Sequence, residues 1–258
     1  AMMEKYGLNK PVIEQYFVYL GNFIRGDFGV SYTRAGITVN KVIADGFPYS
    51  LTIGLYASLI VVFAGIGFGV MCALNQNKFI DRFFMVLSTL GATIPSFVLA
   101  TGFLFIFSKT LGWVPAFGVD TAAGYIGPIV VIGAFSLSFI TRLTRTSLLE
   151  VQQQDYIRTA RSKGLRSSTV VFKHAFKNTL VPVITIIAMQ LPTLIGGALI
   201  TETIFAWPGM GKLLIDAINK SDRPIIVAYL MTAACMFVVL NFVVDLLYTL
   251  VDPRIELR

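Results

Sequence analysis

The sequence predicts an all-α polytopic membrane protein, and three observations carry that prediction. Hydrophobic residues make up 55% of the 258 positions and charged residues 14%, with a mean hydropathy of +0.74, outside the range of soluble globular domains. Several windows hold about 20 apolar residues, enough to cross a hydrocarbon core of about 30 Å. Lysine and arginine gather in the stretches between those windows, as they do on the cytoplasmic side of a membrane.

Taken in order, five spans are expected: 49–74, 84–107, 126–143, 180–205 and 226–251. Each is a run of apolar residues bounded by polar or charged ones. The loop 144–179 and the tail 252–258 are placed inside by their Lys/Arg content, and 75–83, with Lys78 and Arg82, shares that side by parity. The segment 1–48 and the remaining loops then lie outside. The chain divides into an extracytoplasmic segment (1–48), a transmembrane domain (49–251) and a cytoplasmic tail (252–258).

An outside N-terminal segment requires something to carry it across. Ala1–Asn9 has neither the apolar core nor the cleavage site of a signal peptide, and the sequence opens on Ala ahead of Met2 and Met3. A preceding span is therefore expected in the complete protein, which would cross six times with both ends inside; an unusual start at Met2 or Met3 is the alternative. Within the spans, Pro95 and Pro192 are expected to kink their helices, either for packing or as hinges along a pathway. Gly65 and Gly69 form a small-residue face, and Gly196–Gly197 a similar notch.

Composition narrows the chemistry. The net charge of +7 sits in membrane flanks, so no nucleic-acid partner is predicted. Cys72 and Cys235 fall in apolar segments and behave as small hydrophobes. His174 is the only histidine, which rules out a multi-histidine metal site. Residues 207–213, WPGMGKL, approach a phosphate-loop pattern and fail it, since Ala206 replaces the first Gly and Leu213 the Ser/Thr. No Gly-x-Ser-x-Gly elbow occurs. Ionisable groups in or near the spans are Arg142, near the inner boundary, Glu202, near the outer one, and the deeper Asp245, read as a structural hydrogen-bonding group. An intramembrane enzyme would need a paired acid, Ser/Lys or His cluster, and a proton-coupled transporter a second deep acid. Neither is found.

The stretch 142–178 is the most unusual in the chain, carrying eight Lys/Arg against Glu150 and Asp155. On a helix from Asp155, residues Tyr156, Thr159, Ala160 and Lys163 share a face, small at its centre. Gly164 ends that helix with a left-handed cap. Ser167 or Ser168 caps a second helix running through Asn178, with Val170, Val171, Ala175 and Phe176 along one stripe. Two readings stand level on physics alone: a handle that another protein grips, or an amphipathic pair lying on anionic lipid.

A resemblance separates them. RTARSKGL (158–165) followed by KHAFKNTLVPVI (173–184) resembles the coupling-loop signature of the permeases of binding-protein-dependent ABC importers, in the dipeptide/oligopeptide/nickel branch. GDFG (26–29), TETIFAWPGMGKLL (201–214) and VVDLLYTLVDPRI (243–255) resemble further motifs of that branch in order and spacing. Where the general family signature has Glu-Ala-Ala and then Gly, this chain has Arg158, Thr159, Ala160 and Gly164, and its Pro182 comes later. Those departures fit the branch and remove any contact the family assigns to the Glu.

The resemblance implies a bacterial cytoplasmic (inner) membrane, multi-pass permease that is not itself an enzyme. It implies a paralogous permease beside it, two ATPase subunits that bind ATP and Mg while this chain holds no cofactor or metal, an extracytoplasmic substrate-binding protein, and surrounding membrane lipid. Peptides are the implied cargo, with nickel chelates or glutathione-like compounds as the alternative. The ATPase-coupling residues would be Asp155, Tyr156, Arg158, Thr159, Ala160, Lys163, Gly164, His174 and Asn178. Candidate pathway residues, from wall polarity, are Ser96, Ser136, Ser138, Gln190, Thr193 and Glu202. The segment 1–48 and the loop 206–223 are large enough to dock the binding protein; Trp207, Pro208, Met210 and Met231 could instead seat a re-entrant turn.

Overall fold

In the computed structural model, residues 11–34, 36–195 and 198–251 are described. Expectations falling on 1–10, on Gly196–Gly197, on the Asp245 side chain and on the tail 252–258 lie outside the described residues. The helices are α1 (Val12–Ile24), α2 (Val39–Leu74), α3 (Phe79–Thr93), α4 (Ser96–Phe103, prolonged as a π-helix over Leu104–Thr110) and α5 (Ala122–Gln152). After these come α6 (Asp155–Ser162), α7 (Phe176–Ile195), α8 (Leu199–Ile204), α9 (Met210–Asn219) and α10 (Arg223–Val251). Among the described residues the one β feature is an isolated bridge, Val30 to Thr38.

Four helical stretches are long and apolar enough to cross a membrane: Val39–Leu74, Ala122–Gln152, Ser167–Ile204 and Arg223–Val244. A fifth crossing exists if the bent pair α3 and α4 is one span. Four of the five expected spans thus reappear with altered ends, and the second corresponds to the bent pair. The first begins at Val39, well ahead of Tyr49, and carries Pro48 inside the helix.

The second expected span, 84–107, is not one kinked helix. It is two, meeting at 112° across Ile94 and Pro95. Proline disfavours α geometry in the residue before it. Ile94 is accordingly extended (φ −75°, ψ 123°), and Pro95 precedes the new helix with ψ 142°. Pro95 breaks the span rather than bending it.

α2 and α5 pack along their length, and small residues allow it. A Cβ at Gly65 would lie 2.8 Å from Ile140 Cγ2, and one at Gly69 would lie 2.8 Å from the Thr141 carbonyl. The small-residue face expected on the first span is therefore a close-packing device.

Beyond that seam the helices separate into two ends. At the end carrying the basic insert, Val70, Ala73, Leu148, Ile157, Ala160, Val170 and Ala175 form one buried cluster. Nearby, Arg145 of α5 grips Asp81 of α3 with two hydrogen bonds, Nε to Oδ1 at 2.6 Å and Nη2 to Oδ2 at 2.8 Å. The Asn77 amide donates to the same carboxylate at 2.8 Å. A bidentate guanidinium–carboxylate pair fixes orientation as well as charge.

At the far end, the heads of α2, α9 and α10 share a cluster that includes Val39, Val42, Met210, Leu214, Ile225 and Ala228. The GDFG turn lies over the head of α2. Gly26 and Gly29 take positive φ (75° and 80°), the Phe28 amide donates to Asn40 Oδ1 at 3.0 Å, and Asn40 Nδ2 donates to the Gly26 carbonyl. The following residues are clasped by Asp222, which accepts from the Ser31 hydroxyl, the Thr33 hydroxyl (2.7 Å) and the amides of Tyr32 and Thr33 (3.2 Å each). Burial pushes that carboxyl up, and these donors more than offset it, leaving it below the usual carboxylate range.

The ion pair yields a prediction. Arg145→Met strands the Asp81 carboxylate, and breaking a buried pair from one side costs ~3–5 kcal/mol. Because the Arg145 side chain is 21% exposed, the loss should fall at the low end. Adding Asp81→Asn should recover part of it, read as a partial return of the thermal midpoint in detergent. Additive losses in the double variant would show the pair to be uncoupled.

Candidate functional site

The basic insert is built as a short helix, a glycine corner and a long second arm. α6 starts with Asp155 in its first turn and has Arg161 in its last, charges that complement the helix dipole at both ends. Lys163 is the C-cap residue. Gly164 follows at φ +76°, a left-handed conformation in which a side chain is strained. The glycine stop is therefore where the sequence places it.

The second arm differs from expectation. It is not a separate helix ending at Asn178. One α-turn at Ser167–Thr169 and a π-helical stretch at Val170–Ala175 lead into α7, which belongs to the fourth span. Neither Ser167 nor Ser168 caps it: Arg166 is the N-cap residue, and no side chain caps that end. Val170, Val171 and Ala175 are buried along the anticipated stripe, with Phe176 half-buried.

The shared face expected on α6 also splits. Tyr156, Thr159 and Lys163 are exposed, as are Asp155, Arg158 and Gly164. Ala160 is 7% exposed and turns inward with Ile157, which is fully buried, against Val70, Ala73 and Leu148. The small residue at 160 thus lets α6 approach its own bundle, not a partner. Ile157 was missed by the sequence reading; the signal was present, because Ile157 and Ala160 stand at i, i+3 as the apolar pair of an otherwise polar helix.

A hydrogen bond closes the structure: Asn178 Nδ2 donates to the Tyr156 hydroxyl at 2.7 Å, joining α6 to α7. His174 is half-buried. Asp155 and Arg158 stand 3.7 Å apart in full solvent, a contact that contributes little. The result is an exposed, mostly cationic ridge on an apolar footing.

The six candidate pathway residues are not gathered into one cavity. Ser136 is buried on α5 and its hydroxyl lies 3.4 Å from Gln190 Oε1 on α7, so those two meet. Ser138 is buried and donates to the Ala134 carbonyl at 2.7 Å on its own helix. Ser96 is exposed at the start of α4, and Thr193 is exposed and donates to the Gln190 carbonyl at 2.7 Å. A narrow cleft between α2, α9 and α10, lined by residues including Phe47, Leu51, Tyr229 and Met236, holds none of the six.

Glu202 requires a correction. Offered as a candidate pathway residue near the outer boundary, it is fully buried. Its carboxylate accepts from the Ser50 hydroxyl (2.7 Å) and from the amides of Gly211 (2.6 Å) and Lys212 (3.3 Å). Those amides lie in the first turn of α9, whose N-cap residue, Gly209, has no side chain to offer. The acid on α8 supplies the missing cap. A Cβ at Gly209 would lie 2.5 Å from the Glu202 and Ser50 oxygens, and one at Gly211 would lie 2.6 Å from Leu199 Cα. The WPGMGKL segment is thus a structural knot. Trp207 is 1% exposed and donates from Nε1 to the Tyr49 carbonyl at 3.2 Å, so its ring seats this turn against the head of α2.

Residues 65–257 match the family described as binding-protein-dependent transport system inner membrane component. The chain belongs to that family. It is 40% identical to the oligopeptide transport system permease protein AppB of Bacillus subtilis (strain 168), over 98% of this chain and 84% of that protein. It is 37% identical to the di/tripeptide transport system permease protein DppB of Pseudomonas aeruginosa (strain UCBPP-PA14), over 98% and 84%. Against the glutathione transport system permease protein GsiC of Escherichia coli (strain K12) it is 34% identical, over 99% and 83%. The fold resembles that of the MetNI methionine ABC transporter in inward-facing form, with a TM-score of 0.68 at 17% identity over 82% of this chain and 97% of that one. The protein is therefore the inner-membrane permease subunit of an ABC importer, a transport component rather than an enzyme.

The Glu202 knot is testable. Glu202→Ala leaves buried amide donors without an acceptor, at roughly 1–3 kcal/mol for each orphaned group. The detergent melting temperature of this permease should fall clearly for Glu202→Ala, and less for Glu202→Gln, which keeps one acceptor oxygen. Equal melting of Glu202→Ala and wild type would remove the carboxylate from this role.

Proposed function

We propose that this permease pairs with a paralogous permease to enclose a path for peptides, with the insert 144–179 as its ATPase-coupling element on the cytoplasmic side. In this reading two separate ATPase subunits bind ATP and Mg, and each grips the insert of one permease in a surface groove. An extracytoplasmic binding protein delivers cargo to the far end, where the GDFG turn lies over the head of α2.

The observation that carries the reading is the footing of the insert. An amphipathic element lying on lipid would bury its apolar face in the bilayer. Here Ile157 and Ala160 are already buried against α2 and α5, so what α6 offers outward is polar and cationic. That ridge suits a protein groove, and because the second arm continues into α7, a displacement at the ridge reaches the span directly. ATP binding would close the ATPase pair and move the inserts with it. Only a contact that differs between open and closed ATPase states can drive the change, because a contact equal in both shifts no equilibrium.

Peptide cargo is supported by the relatives, two of whose names specify oligopeptide or di/tripeptide transport. The glutathione-transport relative keeps glutathione-like compounds as the second reading, with nickel chelates beyond it.

Gly164→Pro tests the coupling, since proline is held near φ −65° and Gly164 stands at +76°. In the reconstituted importer, the variant should still co-purify with its ATPases. Its binding-protein-stimulated ATP hydrolysis should drop on the order of tenfold, equivalent to ~1.4 kcal/mol of lost differential contact. Normal stimulated turnover would contradict the assignment. For cargo, uptake of a labelled tripeptide should be competed by unlabelled peptides and not by a nickel–histidine chelate. The reverse pattern would move the cargo to the nickel class.

A further inference from the structure

The spans carry their own depth gauge. The Asp81–Arg145 pair marks the charged end of α3 and α5, and from Arg145 back to Tyr125 the helix rises about 30 Å, the thickness of the hydrocarbon core. Tyr125 meets Tyr56 of α2 at 6.4 Å between ring centroids and Trp207 at 4.6 Å. On α2, Tyr56 to Leu74 gives about 27 Å by the same measure. Two helices thus place the opposite boundary at one level, the Tyr56–Tyr125–Trp207 cluster.

The segment 111–121 between α4 and α5 is tied to that level at both ends. Its start is bonded to the end of the π-helix, Leu111 amide to the Ile106 carbonyl and Trp113 amide to the Phe107 carbonyl, each at 2.9 Å. Its other end packs Val119 against the cluster around Trp207 and runs into Thr121, the N-cap residue of α5. Between these ties the segment holds out large apolar side chains: Trp113 is 68% exposed and Phe117 61%. Trp113 rests on Phe107, 5.8 Å between ring centroids. Phe105 and Ile106 on the π-helix before the segment, and Ile126 and Val130 on α5 after it, are exposed as well. Lys109 Nζ lies over the Phe105 ring, 5.5 Å from its centroid, a cation–π contact.

We infer that segment 111–118 is a lipid anchor, with Trp113 and Phe117 seated in the headgroup–acyl boundary of the leaflet opposite the basic insert. Three features favour lipid over a protein occupant: the level is that of the hydrocarbon edge, the membrane-crossing helices on either side expose apolar side chains of their own, and aromatic rings with a nearby lysine are the side chains that settle at that boundary. The inference stands whether or not the coupling assignment does.

The test uses the importer purified through this chain and placed in phosphatidylcholine/phosphatidylglycerol nanodiscs. Cys72 is fully buried and Cys235 is exposed, so a Cys235→Ser background leaves an added cysteine open to labelling. A bimane on Phe117→Cys should be quenched at least ~3-fold more by 5-doxyl phosphatidylcholine than by aqueous iodide, as expected of a boundary-seated side chain. The same label on Asp120→Cys, on the exposed polar part of the segment, should show the reverse. Stronger quenching of the Phe117 label by iodide would mean that the segment faces water, and protection from both quenchers would mean that protein covers it. Either result overturns the inference. Should Phe117→Cys fail to fold, Trp113 reports directly, as the difference between wild-type and Trp113→Phe tryptophan fluorescence under the same two quenchers.

Discussion

At Gly65 and Gly69 the bare backbone of α2 takes the Ile140 and Thr144 side chains of α5 directly against it. In a bilayer, where lipid tails are as apolar as leucine, close van der Waals contact does much of the work that water expulsion does elsewhere. The other elements take their places from that seam. α3 is held to α5 by Arg145, α6 sits in the notch made by Val70, Ala73 and Leu148, and the Trp207 knot packs on Ile53, Ala57 and Ile129 at the opposite end. A larger residue at either glycine would displace two ends of the molecule together.

The second recurring constraint is that buried polar groups must find partners. Each departure from regular helix is settled locally. Glu202 answers the bare start of α9, Asp222 answers the loop 31–33, and Asn40 answers the turn at Gly26 and Phe28. Asp222 reaches across 190 positions of sequence to Tyr32, and Glu202 across 152 to Ser50, while Asn40 stands 12 positions from Phe28. They therefore organise the far end as one cross-braced unit, whereas the insert end rests mainly on apolar packing and the Asp81–Arg145 pair.

Hydropathy and basic flanks made the class, the span positions and the glycine corner at 164 legible, because each follows from local composition. What was not legible depended on pairing across the chain. Asp81 and Arg145 fell in two separate polar loops, so neither was weighed as part of the membrane bundle; only the packing of α3 on α5 brings them together. Glu202 was placed near the outer boundary, and its burial follows from α9 folding back onto α8. Pro95 gave a clear local signal but not its magnitude, since a kink and a 112° break share one residue pattern. Ser136 and Gln190 do meet, whereas Ser96 and Thr193 are exposed and apart, because wall polarity carries no information about helix rotation. The tilt of α6 was misjudged by building its face on Tyr156 instead of Ile157.

The path from Ser167 to Ile195 behaves as a drive shaft. It spans 29 positions, ~43 Å if fully helical, and Pro182 and Pro192 each remove one hydrogen-bonded rung from it. A shaft missing single rungs still transmits axial thrust through its covalent chain and remaining rungs, while yielding sideways where the rungs are gone. In the proposed coupling, a push or pull on the insert along the shaft would be carried toward the far end, with lateral displacement absorbed at the two proline positions on the way.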